Sequence, residues 1–207
     1  MALIGLVSDV HATPEPLEEA LSLFRKAGVE QVFCAGDIAG YRDGVQQTVA
    51  LLRANDCRTV LGNHDLDYRE SHAAEPGNRA VAFFRQLPAA IEASIAGKRV
   101  YMVHAHPPDA CHGGIKLLNR QGEVQPDRAA FWSEQLLAFD IDVLVVGHTH
   151  QVFAEWLGKT LVVNPGSSAF NHSCAILCLP EMTVELLSLS GKAIDKTWNW
   201  AEYVRRG

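Results

Sequence analysis

The sequence predicts a mixed α/β sandwich, and three observations carry that reading. Short runs rich in Val, Ile and Leu recur at 2–7, 29–35, 58–61, 99–103, 142–146 and 159–163, the pattern of strands buried on both faces. Helical patterns separate the early runs, so the first part reads as βαβαβ. After Gln151 the spacing tightens into strands joined by turns at 157–159, 164–166 and 180–181, which reads as antiparallel β. A sandwich of mixed sheets with helices accommodates both halves.

Each helix has its own justification. Thr13 and Pro14 form an N-cap and first-turn pair, Leu17, Ala20, Leu21 and Phe24 lie on one face, and Gly28 follows Ala27 as a stop. A second helix is expected over 44–55, with Val45, Val49 and Leu52 on one side. A third is expected over roughly 78–86 and a fourth over 128–139. No repeat, low-complexity segment or Pro/Gly/Ser linker divides the 207 residues, so one domain over 1–207 is expected.

Composition narrows the function classes. The chain is 48 % hydrophobic and 20 % charged, with a formal net charge of -6. That acidic balance argues against a general nucleic-acid binder, which needs a basic face. The five cysteines, at 34, 57, 111, 174 and 178, form no CxxC pair and read as reduced thiols. Cys174 and Cys178 are expected on one side of a strand as core thiols. No stretch reaches the ~18 apolar residues of a membrane span, and the expectation is a cytoplasmic protein with no membrane partner.

Polar residues fall where the strands stop. The first run ends in Asp9-Val10-His11, the second in Gly36-Asp37, and the third in Gly62-Asn63-His64-Asp65. The fourth ends in His104 and the fifth in Gly147-His148-Thr149-His150. In open α/β sheets, ligands bind beyond the carboxyl ends of strands, so five such ends can meet at one place. Asp9 and His11 are two apart, as are His148 and His150; in extended chain each pair points one way. Glycines 36, 62 and 147 permit close backbone approach and unusual φ. A set of Asp, Asn and His suits Mn, Fe or Zn and not a closed thiolate site.

DxH, GD, GNHD, H and GHTH in this order resemble the calcineurin-like metallophosphoesterases, and Asn164-Pro165-Gly166-Ser167-Ser168 resembles a turn of their compact bacterial phosphodiesterase branch. The resemblance implies two mixed sheets packed as a sandwich and flanked by helices, with two divalent ions, Mn or Fe favoured over Zn. It implies Asp9, His11 and His150 on one ion, Asn63, His104 and His148 on the other, and Asp37 between them. A hydroxide shared by the ions would attack phosphorus, with catalytic His64 beside the scissile ester, off the metals, and Asn63 next to it. Asp65 either orients His64 or caps the next turn. The chain departs from the family pattern at Ala12-Thr13, where Gly-Asn is common, and at Ala105, where Gly is common; neither removes a ligand.

Several residues have two readings. His106 either touches substrate or supports the site, and Arg42, after Tyr41, is a surface arginine or a phosphate contact. His72, His112 and His172 are expected on surface or loops. Trp198, Trp200 and Tyr203 form an aromatic tail that packs on the body or supports a dimer. The leading function is a phosphodiesterase for small phosphate esters. The alternatives are a phosphomonoesterase for nucleotides or phosphoproteins, and a non-catalytic protein-binding scaffold, which should have lost ligands.

Overall fold

The computed structural model describes residues 1–198. Its ten strands form two mixed five-stranded sheets. The first contains β1 (Ala2–Val7), β2 (Gln31–Cys34), β3 (Arg58–Thr59), β9 (Ser173–Leu179) and β10 (Thr183–Ser188), in the order β10-β9-β1-β2-β3. The second contains β4 (Ala90–Ile95), β5 (Lys98–Val103), β6 (Val143–Val145), β7 (Val152–Leu157) and β8 (Thr160–Pro165), in the order β4-β5-β6-β8-β7. Strands β1, β2 and β3 run parallel, as do β5, β6 and β8. Their carboxyl ends therefore open onto common edges, while β9 pairs antiparallel with β1.

The sheets face each other across a dry layer that includes Leu6 and Phe33 from one and Met102 and Val145 from the other. Helices cover the outer faces. On the first sheet lie α1 (Pro14–Ala27), α2 (Val45–Ala54) and α4 (Arg79–Phe84), through Leu21, Phe24, Leu52 and Phe84. Apolar side chains at i, i+3, i+4 and i+7 give α1 its buried stripe, and Gly28, at φ 76, closes it in the left-handed conformation. The other sheet is covered through Leu136, Ile115 and Leu117, with Ala129 and Trp132 of α5 (Pro126–Gln135) packed beside them. A 3-10 turn, Leu136–Ala138, finishes the fourth expected helix. Among the described residues no helix is long and apolar enough to cross a membrane.

Two elements differ from the sequence reading, and one strand, β4, is added to it. The third strand stops at Thr59, not Leu61, and a helix, α3 (Asn63–Ser71), begins at the GNHD motif where none was expected. Asp65 explains that start: its Oδ2 accepts the Gly62 N–H at 3.0 Å, from the third helical position back to the N-cap. Edge strand β4 pairs along its whole length with β5. Cys174 is buried in the first core, but Cys178, on the same face, reaches the rim, where its Sγ meets Glu181.

Candidate metal centre

The eight residues read from the sequence gather at the carboxyl edge of the parallel strands. Among the described residues, three groups have ligand atoms within 4.8 Å of one another: Asp9, His11 and His150; His11, Asp37 and His64; and Asp37, His104 and His148. Asn63 completes the last, its Oδ1 lying 3.2 Å from His104 Nε2 and 2.9 Å from His148 Nδ1.

These side chains do not converge because the backbone is extended. Asp9, His11, Asp37, His148 and His150 all have φ between 47° and 64°, the left-handed region that ordinary residues seldom occupy. The alternation expected of Asp9 with His11, and of His148 with His150, is replaced by tight turns. Long-range hydrogen bonds hold the turns in place. Asp9 N–H donates to Gly36 O, His11 N–H to Asp37 O and Ala12 N–H to Ile38 O. Ser167 Oγ donates to Asp9 O at 2.6 Å, while Asn171 Nδ2 donates to His150 O at 3.0 Å. Of the three glycines, only Gly36 has positive φ, at 93°. Gly62 and Gly147 provide room, since a Cβ would strike Asp37 at the first and Ser8 Oγ at the second.

Hydrogen bonds set which ring nitrogens face the centre. His11 Nδ1 is engaged by Ala39 O at 3.1 Å and His104 Nδ1 by Ala35 O at 2.6 Å. That turns both Nε2 atoms inward, the arrangement usual for ligating histidines. His11 Nε2 then lies 2.9 Å from His150 Nε2, which is 3.3 Å from Asp9 Oδ1. His104 Nε2 lies 3.4 Å from Asp37 Oδ2. His150 Nδ1 is buried without a hydrogen-bond partner among the described residues. Lone-pair atoms thus crowd together with few protons between them, and the donor set fits divalent cations.

Electrostatics agree with this crowding. Burial pushes His11 down to about 4 against the pull of Asp37 and Asp9. Burial, then His104, push His148 down to about 4. For His104 burial opposes charge, but Asp37 and Asp9 raise it to about 9. Burial alone would raise Asp9 and Asp37. His150 instead holds Asp9 below the usual carboxylate range, and His104 does the same for Asp37. Swapping the Asn63 amide would let its nitrogen donate to both histidines; the present orientation, oxygen inward, is the one a cation needs.

Asp65 does not orient His64. Its Oδ1 accepts Ile38 and Ala39 N–H, both at 2.8 Å, and its Oδ2 caps α3. One buried carboxylate thus ties the Asp37 turn to the helix carrying Asn63 and His64. Because that segment is helical, extended-chain alternation does not explain where His64 points. Its ring stands edge-on to His11 at 5.2 Å, and its backbone N–H donates to Asp37 Oδ1 at 2.9 Å. His106 packs against Trp132 at 5.6 Å, outside the three groups. Exposed His112 approaches His148 at 6.3 Å, whereas His72 stacks on Tyr68 and His172 sits on the β8–β9 connection, outside the three groups. Arg42 is exposed. Trp198 packs on Phe170, and Trp200 and Tyr203 lie outside the described residues. Phe170, near both His11 and His150, has no signal in the sequence beyond being one apolar ring in a polar stretch.

Comparisons with known proteins bear on the whole chain. An uncharacterized protein of Methanocaldococcus jannaschii is 34 % identical over 181 residues, covering 80 % of this chain and 69 % of its own. A hypothetical protein of Pyrococcus horikoshii has a similar fold, with TM-score 0.71, 16 % identity, and 95 % of this chain and 90 % of that one covered. An archaeal phosphodiesterase also shares the fold, with TM-score 0.59, 16 % identity, and 90 % and 99 % covered. Residues 2–179 match the calcineurin-like phosphoesterase superfamily domain. With a family match of that extent and a His/Asp cluster able to hold metal, the chain belongs to the calcineurin-like phosphoesterase superfamily and is a hydrolase of phosphoric esters.

Proposed function

We propose that the protein is a dinuclear metal-dependent phosphodiesterase acting on small phosphate esters. Asp9, His11 and His150 would hold one ion, Asn63, His104 and His148 the other, and Asp37 both. The observation that carries this reading is the facing of lone-pair atoms in two arms, His11 Nε2 against His150 Nε2 and His104 Nε2 against Asn63 Oδ1, with Asp37 belonging to the groups on either side. Two divalent ions would supply positive charge for the phosphoryl oxygens and a water acidic enough to ionise near neutral pH. Mn or Fe is favoured by the oxygen-containing donor set, and Zn is compatible with it.

The chain's own groups would do the rest. Asp37 and Asp9 fix the ring nitrogens around them. His64, on the first turn of α3, is placed to donate a hydrogen bond or a proton to the leaving oxygen. The complete donor set weighs against a non-catalytic scaffold. An archaeal phosphodiesterase with this fold favours the diester over the monoester reading, and nothing in the proposal calls for nucleic acid or membrane as partner.

The test is metal counting with turnover. Protein reconstituted with Mn²⁺, Fe²⁺ or Zn²⁺ should hold two ions per chain and cleave aryl diesters faster than aryl monoesters. A count that stays at zero would sink the metal reading; faster monoester cleavage would replace the diester reading with the phosphatase one.

A further inference from the structure

Strand β5 delivers His104, and the chain then turns back on itself. Ala105 N–H donates to Ala110 O at 2.9 Å, Ala110 N–H donates to His106 O at 3.1 Å, and Tyr101 Oη donates to Pro108 O at 2.6 Å. Gly113 and Gly114 follow with φ 85° and 87°. The backbone at Gly114 presses so closely on the next ligand that a Cβ there would come 3.0 Å from His148 Cδ2 and 2.7 Å from Thr149 Cγ2. Beyond it Thr149 Oγ1 donates to Ile115 O at 3.3 Å, and Gln151 Oε1 accepts the Leu117 and Leu118 N–H groups at 2.8 and 2.9 Å. Segment 105–118 is thus pinned at one end to the strand that carries His104 and at the other to the turn that carries His148.

Between those anchors the loop brings Cys111 O to the centre. Swapping the Asn63 amide would put its nitrogen within donating distance of Cys111 O, at 3.3 Å. With the oxygen inward, two acceptors face each other at that distance with no proton between them, and a cation beside both removes the repulsion. The spacing suits one shell. Donors about 2.1 Å from a divalent ion and at right angles to one another stand about 3.0 Å apart. Asn63 Oδ1 keeps close to that spacing from His104 Nε2, at 3.2 Å, from His148 Nδ1, at 2.9 Å, and from Cys111 O. Nothing in the sequence marks this donor, because it belongs to the main chain and not to a side chain.

We propose that Cys111 O is a further ligand of the ion held by Asn63, His104, His148 and Asp37. The inference rests on the two-ion reading and deepens it. It gives the His104–His148 arm oxygens from Asp37, Asn63 and Cys111 with two imidazoles, against oxygens from Asp9 and Asp37 with two imidazoles in the His11–His150 arm. A six-coordinate ion in the first arm then keeps one position for substrate. Carbonyl oxygen suits Mn²⁺ better than Zn²⁺, which usually closes at four donors, so this arm is the more selective of the two for Mn²⁺.

The experiment is a crystal structure of the chain reconstituted with Mn²⁺. Cys111 O should lie about 2.0–2.6 Å from the ion in the His104–His148 arm, the reach of oxygen donors to divalent ions. Gly113→Val is the counterpart in solution. Within 4 Å a Cβ at Gly113 meets only His106, at 3.8 Å, but φ 85° does not suit a β-branched residue, so the turn shifts without striking a ligand. Calorimetry should show that ion bound about tenfold or more weaker, the least that loss of a supporting partner usually costs, with the other ion unchanged. Crystals grown with equal Mn²⁺ and Zn²⁺, read at both absorption edges, should carry a larger share of Mn in the His104–His148 arm than in the other; an equal or smaller share overturns the selectivity. Two bound ions with Cys111 O farther than about 3 Å from both overturn the carbonyl ligand and leave the two-ion reading standing. An empty His104–His148 arm overturns both.

Discussion

The two arms of the candidate centre use similar atoms in different surroundings. Asp9, His11 and His150 are buried, held from beneath by Ser167 and Asn171 and walled by Phe170 and Trp198. In the other arm only His104 is buried; Asn63 and His148 are part-exposed, and exposed His112 stands beside His148. The difference separates two tasks. On the two-ion proposal, a recessed arm would hold its ion against exchange, while an open arm would admit substrate.

Asp37 should show the largest effect, because it belongs to the groups on both sides. Asp37→Asn is expected to empty both arms and reduce turnover to background, measured by metal analysis and diester cleavage. Two bound ions with near-native turnover would show that the arms do not depend on it. His64→Gln comes next. It should keep both ions and lower kcat by roughly 10²–10⁴, the usual worth of a positioned acid–base group. The loss should be larger for an alkyl ester than for a nitrophenyl ester, whose oxygen leaves without a proton. Equal losses would limit His64 to orienting phosphate, and loss of metal would make it a ligand, as its grouping with His11 and Asp37 allows.

Chelation should distinguish the arms directly. On dilution into EDTA one ion should leave in a fast phase and the other in a slow one, and His148→Ala should abolish the fast phase only. A single phase for both ions would mean that the difference in burial does not govern exchange.

The smallest effects concern stability beneath the recessed arm. Ser167→Ala removes the hydroxyl donor from Asp9 O and should cost about 1–3 kcal/mol, as for a buried acceptor left unpaired. In a chain of this size each kcal/mol lowers Tm by roughly 2–4 °C. Ser168→Ala should leave Tm within about a degree or raise it, because its buried Oγ has no partner among the described residues and leaving it in place gains nothing. Thermal melts of the two variants side by side check both; equal shifts would remove the distinction between the neighbouring serines.

What the sequence disclosed follows from how local each signal is. The two-sheet architecture was legible because buried strands read as apolar runs, and α1 because Pro14, its apolar stripe and Gly28 mark its start, face and stop. The gathering of Asp9, Asp37, His104 and His148 was legible because metal-binding residue types sit where runs end. Helix α3 was not, since Asn63–Ser71 has no apolar stripe and starts through Asp65, whose buried position depends on the distant Asp37 turn. Strand β4 alternates too weakly to stand out, being an edge with mostly half-exposed residues. The left-handed ligand turns were missed for a similar reason. Asp and His carry no local demand for positive φ, which is imposed by hydrogen bonds from residues as far away as Ser167.

The pairing of β1 with β9 has a consequence in time. Ala2 sits opposite Leu179, and Leu6 opposite Ala175, so the central strand of the first sheet lacks one neighbour until most of the chain has been synthesised. Contacts of such sequence separation form slowly, since a long loop must close before they repay its entropy. His148 and His150 also reach Asp9 from far along the chain. A ribosome-bound chain halted before Ser173 would therefore present β1, β2 and α1 with one open strand edge. Stalled nascent chains of increasing length should show protection of Ile4 and Leu6 appearing late and abruptly, once β9 has emerged, and not in proportion to length.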